Sequence, residues 1–282
     1  MSTTVPPTTG GLARSSDGTT ISYETAGVGD GLLVVGGAWR TARDYRPFGR
    51  ALSDSFAVHV IDRRGRGRSG PQGAGYSIAR EIEDVLAVQA QTGATIVFGH
   101  SYGGLIALEA ARRSEVFSDV VVYEPGVSVA GSIPLGWMDL YRERLAANDP
   151  RGAFAAMVRG AGGAPPALER MPLWYVKFIL RVVIKPRQWR EIERLLEAGL
   201  AEHEQVAALD DATVDRYQAI TARVLLLGGG KSRAFATTQL FDQLTAALPN
   251  SASEIIEGLD HIAPDEKAPE IVAERVRRHL RR

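Results

Sequence analysis

Apolar and polar positions follow two registers along this chain. Short β-rich runs at 32–35, 57–61, 95–98, 119–123, 223–227 and 253–256 read as strands, with near-continuous apolar character where both faces of a parallel sheet are covered. Between most of them, apolar residues recur at helical spacing over 42–52, 78–91, 102–113, 237–248 and 269–280. Near the start, Asp17-Gly18 separates 12–15 from 19–23, which predicts a hairpin of antiparallel strands at one sheet edge. The alternation predicts an α/β fold with a mostly parallel eight-stranded sheet flanked by helices.

One connection is too long for an ordinary crossover. From 126 to 221 no strand pattern occurs, while helical periodicity recurs at 137–147, 172–184 and 189–203. A helical cap inserted at about 127–218 into a single domain spanning 12–282 is the expected organisation. Three Gly and two Pro between Gly160 and Pro166 mark a joint inside it. Residues 1–11, rich in Thr, Pro and Gly, read as a flexible N-terminal tail with no signal-peptide pattern.

Composition narrows the chemistry more than the fold. The 33 basic and 33 acidic residues cancel, so no global field favours nucleic acid or a membrane surface. The longest apolar stretch, 171–184, is interrupted by Lys177 and Arg181 and is shorter than the roughly 20 residues a span requires. A cytoplasmic protein with a small-molecule substrate, and with neither nucleic-acid nor membrane partners, is expected; the oligomeric state is left open. With no cysteine, thiolate nucleophiles, thiolate metal sites and disulfides are excluded. Oxygen and imidazole must carry any catalysis, and no metal or organic cofactor is required.

The sharpest signal is Gly99-His100-Ser101-Tyr102-Gly103-Gly104, with an apolar strand before it and a helical pattern after it. A strand that turns sharply into a helix presents the serine hydroxyl at the sheet edge, and glycines on either side relieve the crowding. The helix N-terminus then faces any anion that develops there. A Gly-rich turn with a capping serine is the bland alternative. After the first parallel strand comes Gly36-Gly37-Ala38, where the Ala38 N–H is expected to share an oxyanion with the Tyr102 N–H. A turn that needs positive φ explains those glycines equally well. His261 lies in a loop between the last strand and the last helix, the position for a general base opposite Ser101. His59, His100, His203 and His279 fall in a strand, the elbow, the insertion and the last helix, and none has that position.

These features resemble the α/β-hydrolase fold superfamily over about residues 12 to 281, most closely its small serine hydrolases with a helical cap. The segment Asp62-Arg63-Arg64-Gly65-Arg66-Gly67-Arg68-Ser69-Gly70 is similar to a D-x-R-G-x-G-x-S loop of that family. Bottom-up, it reads as a tight structural turn with a solvated basic rim. Two departures from the family pattern matter. The oxyanion loop has Gly36-Gly37 where relatives often carry His-Gly. The loop after 223–227 has no carboxylate between Gly228 and Thr238, where relatives usually place the triad acid. The resemblance implies another source, and Glu124, just after the strand at 119–123, matches the position some members use. Asp260 and a Ser-His dyad without an acid are the alternatives.

The expected activity is that of a serine hydrolase acting on a carboxylic ester, lactone or thioester of a small apolar molecule through an acyl-enzyme. Two rivals stand beside it: a non-hydrolytic enzyme performing cyclisation, isomerisation or C–C cleavage in the same pocket, and a ligand-binding protein with little turnover. Trp137, Met138, Tyr141, Met171, Trp174, Tyr175 and Phe178 of the insertion fit helix packing better than a pocket lining.

Overall fold

The computed structural model describes residues 9–164, 166–232 and 238–281. Contacts divide the chain into two units, Met1–Gly126 with Thr213–Arg282, and Val127–Ala212. The first carries β1 (Thr9–Arg14), β2 (Thr20–Ala26), β3 (Asp30–Val35), β4 (Phe56–Asp62), β5 (Ile96–His100), β6 (Asp119–Tyr123), β7 (Arg223–Gly229) and β8 (Ser251–Ile256). They form one sheet in the order β1-β2-β4-β3-β5-β6-β7-β8. β2 runs antiparallel to β1 and to β4, and the other neighbours are parallel. The expected mostly parallel eight-stranded sheet is present. The Asp17-Gly18 turn closes the edge hairpin with Gly18 at φ 83°.

The helices of the first unit are α1 (Arg46–Leu52), α2 (Ile78–Thr92), α3 (Tyr102–Arg113), α10 (Thr238–Ala247) and α11 (Pro269–Leu280). Leu32, Val34, Val58, Val60, Phe98 and Val121 share a buried cluster with Phe48 and Leu52 of α1 and Val272 and Val276 of α11. Leu33, Val35 and Val97 point to the opposite face and are equally buried, and α2 and α3 contact the sheet there. This double covering is why the strands read as continuous apolar runs. β3 lies between β4 and β5, so the chain leaves it towards one edge of the sheet and later returns on its other side. The strand order makes the C-terminal ends of β3 and β5 the switch point of the sheet, the usual place for functional groups in an open parallel sheet.

The second unit consists of α4 (Met138–Ala146), α5 (Pro150–Gly160), α6 (Pro166–Glu169), α7 (Leu173–Val183), α8 (Pro186–Arg194) and α9 (Leu196–Ala208). Trp137, Met138 and Tyr141 are buried, whereas Met171, Trp174 and Phe178 are exposed.

Several boundaries differ from the sequence reading. β1 starts at Thr9, so residues 9–11 of the expected tail belong to the sheet; residues 1–8 lie outside the described ones. The helix expected over 42–52 is a tight 3₁₀ turn at Ala42–Tyr45 followed by α1, where Pro47 lacks an N–H to continue a bonding ladder. Helix α5 was not expected. Its signal is Asp149-Pro150, where the Asp149 carboxylate accepts from the Gly152 N–H and proline occupies the first turn. The second unit ends at Ala212 rather than near 218, because the turn Asp215–Ala219 is tied to α3 by fully buried Tyr217 and by Arg216 beside Glu109 at 3.4 Å.

Candidate active site

Ser101 occupies the single residue between β5 and α3, at φ 54° and ψ −122°. A backbone this strained costs about 1–3 kcal/mol and persists only where its surroundings fix it. The Ser101 N–H donates to the Tyr123 carbonyl at 3.0 Å, and its own carbonyl accepts from Gly104 and Gly126 at 2.8 Å each. Close packing explains the flanking glycines. A Cβ on Gly99 would lie 2.4 Å from the Gly103 carbonyl oxygen, and one on Gly103 would lie 2.1 Å from that of Val35. Of the five non-glycine residues with positive φ among those described, Trp39, Ser101 and Glu124 follow β3, β5 and β6. Strain is thus gathered at three neighbouring strand ends.

His261 completes a line of three side chains. Its Nε2 lies 3.0 Å from Ser101 Oγ, and its Nδ1 lies 2.6 Å from Glu124 Oε2. A carboxylate only accepts, so Nδ1 carries the proton and Nε2 offers its lone pair to the serine hydroxyl. Glu124 is fully buried, and its Oε1 accepts from the Gly229 N–H at 2.7 Å. Gly229, the last residue of β7, supplies the amide that holds Glu124, while the segment after it carries no acid. The same glycine also admits the histidine loop, since a Cβ on Gly229 would lie 2.6 Å from the Leu259 carbonyl oxygen. Asp260 is directed elsewhere: its carboxylate pairs with Lys267, and its carbonyl accepts from Tyr123 OH at 2.9 Å.

The loop after β3 lies against Ser101, with a Cβ on Gly37 placed 3.2 Å from Ser101 Cβ. Arg63 holds that loop. Its Nε donates to the Gly36 carbonyl and its Nη2 to the Gly37 carbonyl, both at 3.0 Å, and Arg66 Nη1 reaches the Gly37 carbonyl at 3.4 Å. In a trans peptide the N–H points opposite the C=O, so the Ala38 N–H points away from these guanidinium groups. Arg63 is itself buried, paired with Glu81 at 2.6 Å and placed 5.0 Å from the centre of the Tyr102 ring. Arg63, Arg64 and Arg66 are buried, which corrects the expectation of a solvated basic rim for these three, while Arg68 is exposed as expected. Arg64 makes two 2.7 Å bonds to the Asp84 carboxylate, and such planar forks can be taken out of water when every donor finds an acceptor.

A second buried chain ties the two loops together beneath the serine. His100 Nε2 donates to the His261 carbonyl at 2.8 Å, so its Nδ1 accepts from Tyr45 OH at 2.6 Å, and the Tyr45 oxygen accepts from the Gly37 N–H at 2.9 Å. Burial, with His261 and Arg40 nearby, pushes His100 well below the ordinary imidazole range, so it stays neutral and keeps this tautomer. Asp265 stands beside the chain, 3.9 Å from His100 Nδ1 and paired with Arg40. Burial, only partly offset by the Arg40 guanidinium, pushes its carboxyl up to about 6.

The structure therefore brings Ser101, His261 and Glu124 together, with Gly37 and Tyr102 flanking the serine, and it places the Asp260 carboxylate elsewhere. Sequence reasoning missed Tyr45, Arg63, His100 and Asp265. His100 stands inside the elbow motif, where its place at the end of a buried strand was a usable signal. Tyr45 looked like any core residue of a helix.

The chain matches the family model described as "Alpha/beta hydrolase family" over residues 32–275. It is 27% identical over 273 residues to a non-heme chloroperoxidase of Streptomyces lividans, covering 89% of this chain and 92% of that protein. It is also 27% identical over 252 residues to a pimeloyl-[acyl-carrier protein] methyl ester esterase of Vibrio cholerae, covering 87% of each. Among solved structures, an α/β hydrolase from Sphaerobacter thermophilus superposes with a TM-score of 0.77 at 29% identity, over 94% of this chain and 99% of that one.

Proposed function

The chain belongs to the α/β-hydrolase family, and from that premise we propose that it is a serine hydrolase cleaving a carboxylic ester, lactone or thioester of a small apolar molecule. The observation that carries this reading is the line Ser101 Oγ, His261 Nε2 and Nδ1, Glu124 Oε2, with contacts of 3.0 and 2.6 Å. The activity named for the Vibrio relative, a methyl ester esterase, is of the same class.

In this reading His261 Nε2 takes the hydroxyl proton as Ser101 Oγ bonds to the substrate carbonyl carbon. The carbonyl electron pair moves onto oxygen, where the Ala38 and Tyr102 N–H groups receive it. Collapse breaks the bond to the leaving oxygen or sulfur, which departs with the proton from His261. Water then repeats the attack on the acyl-enzyme through the same base, releasing the carboxylic acid and restoring Ser101. Glu124 keeps its charge throughout and stabilises the imidazolium. Neutral His100, already bonded through both nitrogens, takes no proton.

The test is labelling by a fluorophosphonate, read by intact mass, beside hydrolysis of short p-nitrophenyl esters. Wild type should label and turn over, and Ser101→Ala and His261→Ala should do neither. A folded wild type that does not label would remove the reading and favour a ligand-binding or non-hydrolytic role. Because one relative is named for chloroperoxidase activity, halide oxidation with hydrogen peroxide is measured alongside. Halogenation without ester turnover would replace the ester assignment.

A further inference from the structure

Helix α7 buries only Val176 among its eleven residues, yet most of its other side chains are apolar. Trp174, Phe178 and Val182 recur every four residues and form a stripe roughly opposite Val176. They are 70%, 58% and 68% exposed. Met171, just before the helix, and Val183 at its end are exposed as well. A run of large apolar side chains left in water marks a contact surface.

Charge says what the contact is. Between 170 and 190 the chain carries Arg170, Lys177, Arg181, Lys185, Arg187 and Arg190 and no acidic residue, leaving 27 basic against 33 acidic residues elsewhere. Lys177 pairs with Asp149 at 2.6 Å and Arg187 lies 3.8 Å from Glu191. Arg181, Lys185 and Arg190 are exposed and make no ion pair among the described residues. A second copy of this chain seated on the stripe about a two-fold axis would bring these cations together. An anionic lipid surface accepts both parts, the stripe entering the acyl boundary and the cations meeting the phosphates.

We propose that α7 and the basic residues around it bind anionic membrane surfaces, with the helix lying in the interface and Trp174 and Phe178 inserted. No spanning is implied, since among the described residues no helix is long and apolar enough to cross a membrane. The expectation of no membrane partner rested on a net charge of zero over the whole chain, which does not register the six basic residues gathered between 170 and 190. The inference is independent of the ester reading.

The experiment is co-sedimentation of the whole protein with phosphatidylcholine vesicles, with and without about 30 mol% phosphatidylglycerol. Trp emission and light scattering in solution are followed in parallel. Binding should be at least about tenfold stronger on the anionic vesicles and should fall in about 0.5 M salt. Wild-type emission should shift to the blue, and Trp174→Phe should bind without that shift. Phe178→Ser with Val182→Ser should weaken binding about tenfold or more. Arg181→Glu, Lys185→Glu and Arg190→Glu combined should abolish the preference for the anionic vesicles. All these positions are exposed, and circular dichroism verifies that each variant is folded. Three results would overturn the proposal: no sedimentation of wild type, equal binding to both vesicles unchanged by charge reversal, or a dimer that the stripe variants turn into monomer without vesicle binding.

Discussion

At the scale of single residues, the unusual feature is the carboxylate beside His261. Glu124 follows β6, and its two oxygens have separate partners: Oε1 accepts from the Gly229 N–H, and Oε2 faces His261. Glu124→Gln retains an oxygen for Gly229 but loses the charge that stabilises the imidazolium. With Glu124 as the acid of the proposed serine hydrolase, ester turnover should fall by roughly three to four orders of magnitude. Asp260→Asn should change it little, because that side chain pairs with Lys267. Equal activity of Glu124→Gln and wild type would return the acid role to the alternatives. Arg63 is a positioning residue rather than a catalytic one. Arg63→Lys keeps a charge beside Glu81, but a single ammonium cannot hold the Gly36 and Gly37 carbonyls in the same fork geometry. If those bonds set the Ala38 N–H for an oxyanion, kcat should fall about 10- to 100-fold with KM nearly unchanged. A change confined to KM would assign Arg63 to substrate binding instead.

The crossing of β3, β5 and the first turn of α3 leaves no room at Gly103, whose φ is ordinary but whose absent Cβ would meet two carbonyl oxygens, at 2.1 and 2.6 Å. Gly103→Ala must push the helix away from the sheet, at a cost of about 3 kcal/mol. Urea unfolding measures that loss. Fluorophosphonate labelling of the folded fraction should slow as well, since Ser101 moves with the helix. Undiminished stability would show that the turn has slack. This crossing was legible in the sequence because its demands are local: apolar strand, small residues, serine, helix. The strands at 32–35 and 119–123 were legible for a similar reason, being covered on both faces. Tyr45 and His100 were not, because 55 residues separate them and only the order of β3 and β5 in the sheet joins them. Arg63 was misread because a run of arginines looks solvated until the acids that meet it, Glu81 and Asp84 on α2, are placed beside it.

Over the whole molecule, equal totals of acid and base conceal a segregated distribution, with several charges sealed inside the first unit. Most of these are matched, as Arg63 is by Glu81 and Arg64 by Asp84. Asp265 is the imperfect case, because burial outweighs its pairing with Arg40 and lifts its carboxyl from 3.8 to about 6. A folded pKa above the unfolded one means that the native state holds the proton more tightly. Below about pH 4 both states are protonated and the group contributes nothing to pH dependence. Between about pH 4 and 6 the unfolded chain gives up its proton while the native one keeps it, so stability falls as pH rises, and above about 6 the loss is complete. A shift of this size corresponds to roughly 3 kcal/mol. Asp265→Asn keeps the shape and removes the titration, leaving Arg40 its contact with Glu266 at 2.7 Å. Urea unfolding of both proteins from about pH 4 to 7 should show the variant gaining on wild type by roughly 2–3 kcal/mol across that window. Parallel curves would mean that Arg40 compensates Asp265 fully, and that the ionised carboxylate is part of the native arrangement beside His100 and His261 at every pH in the range.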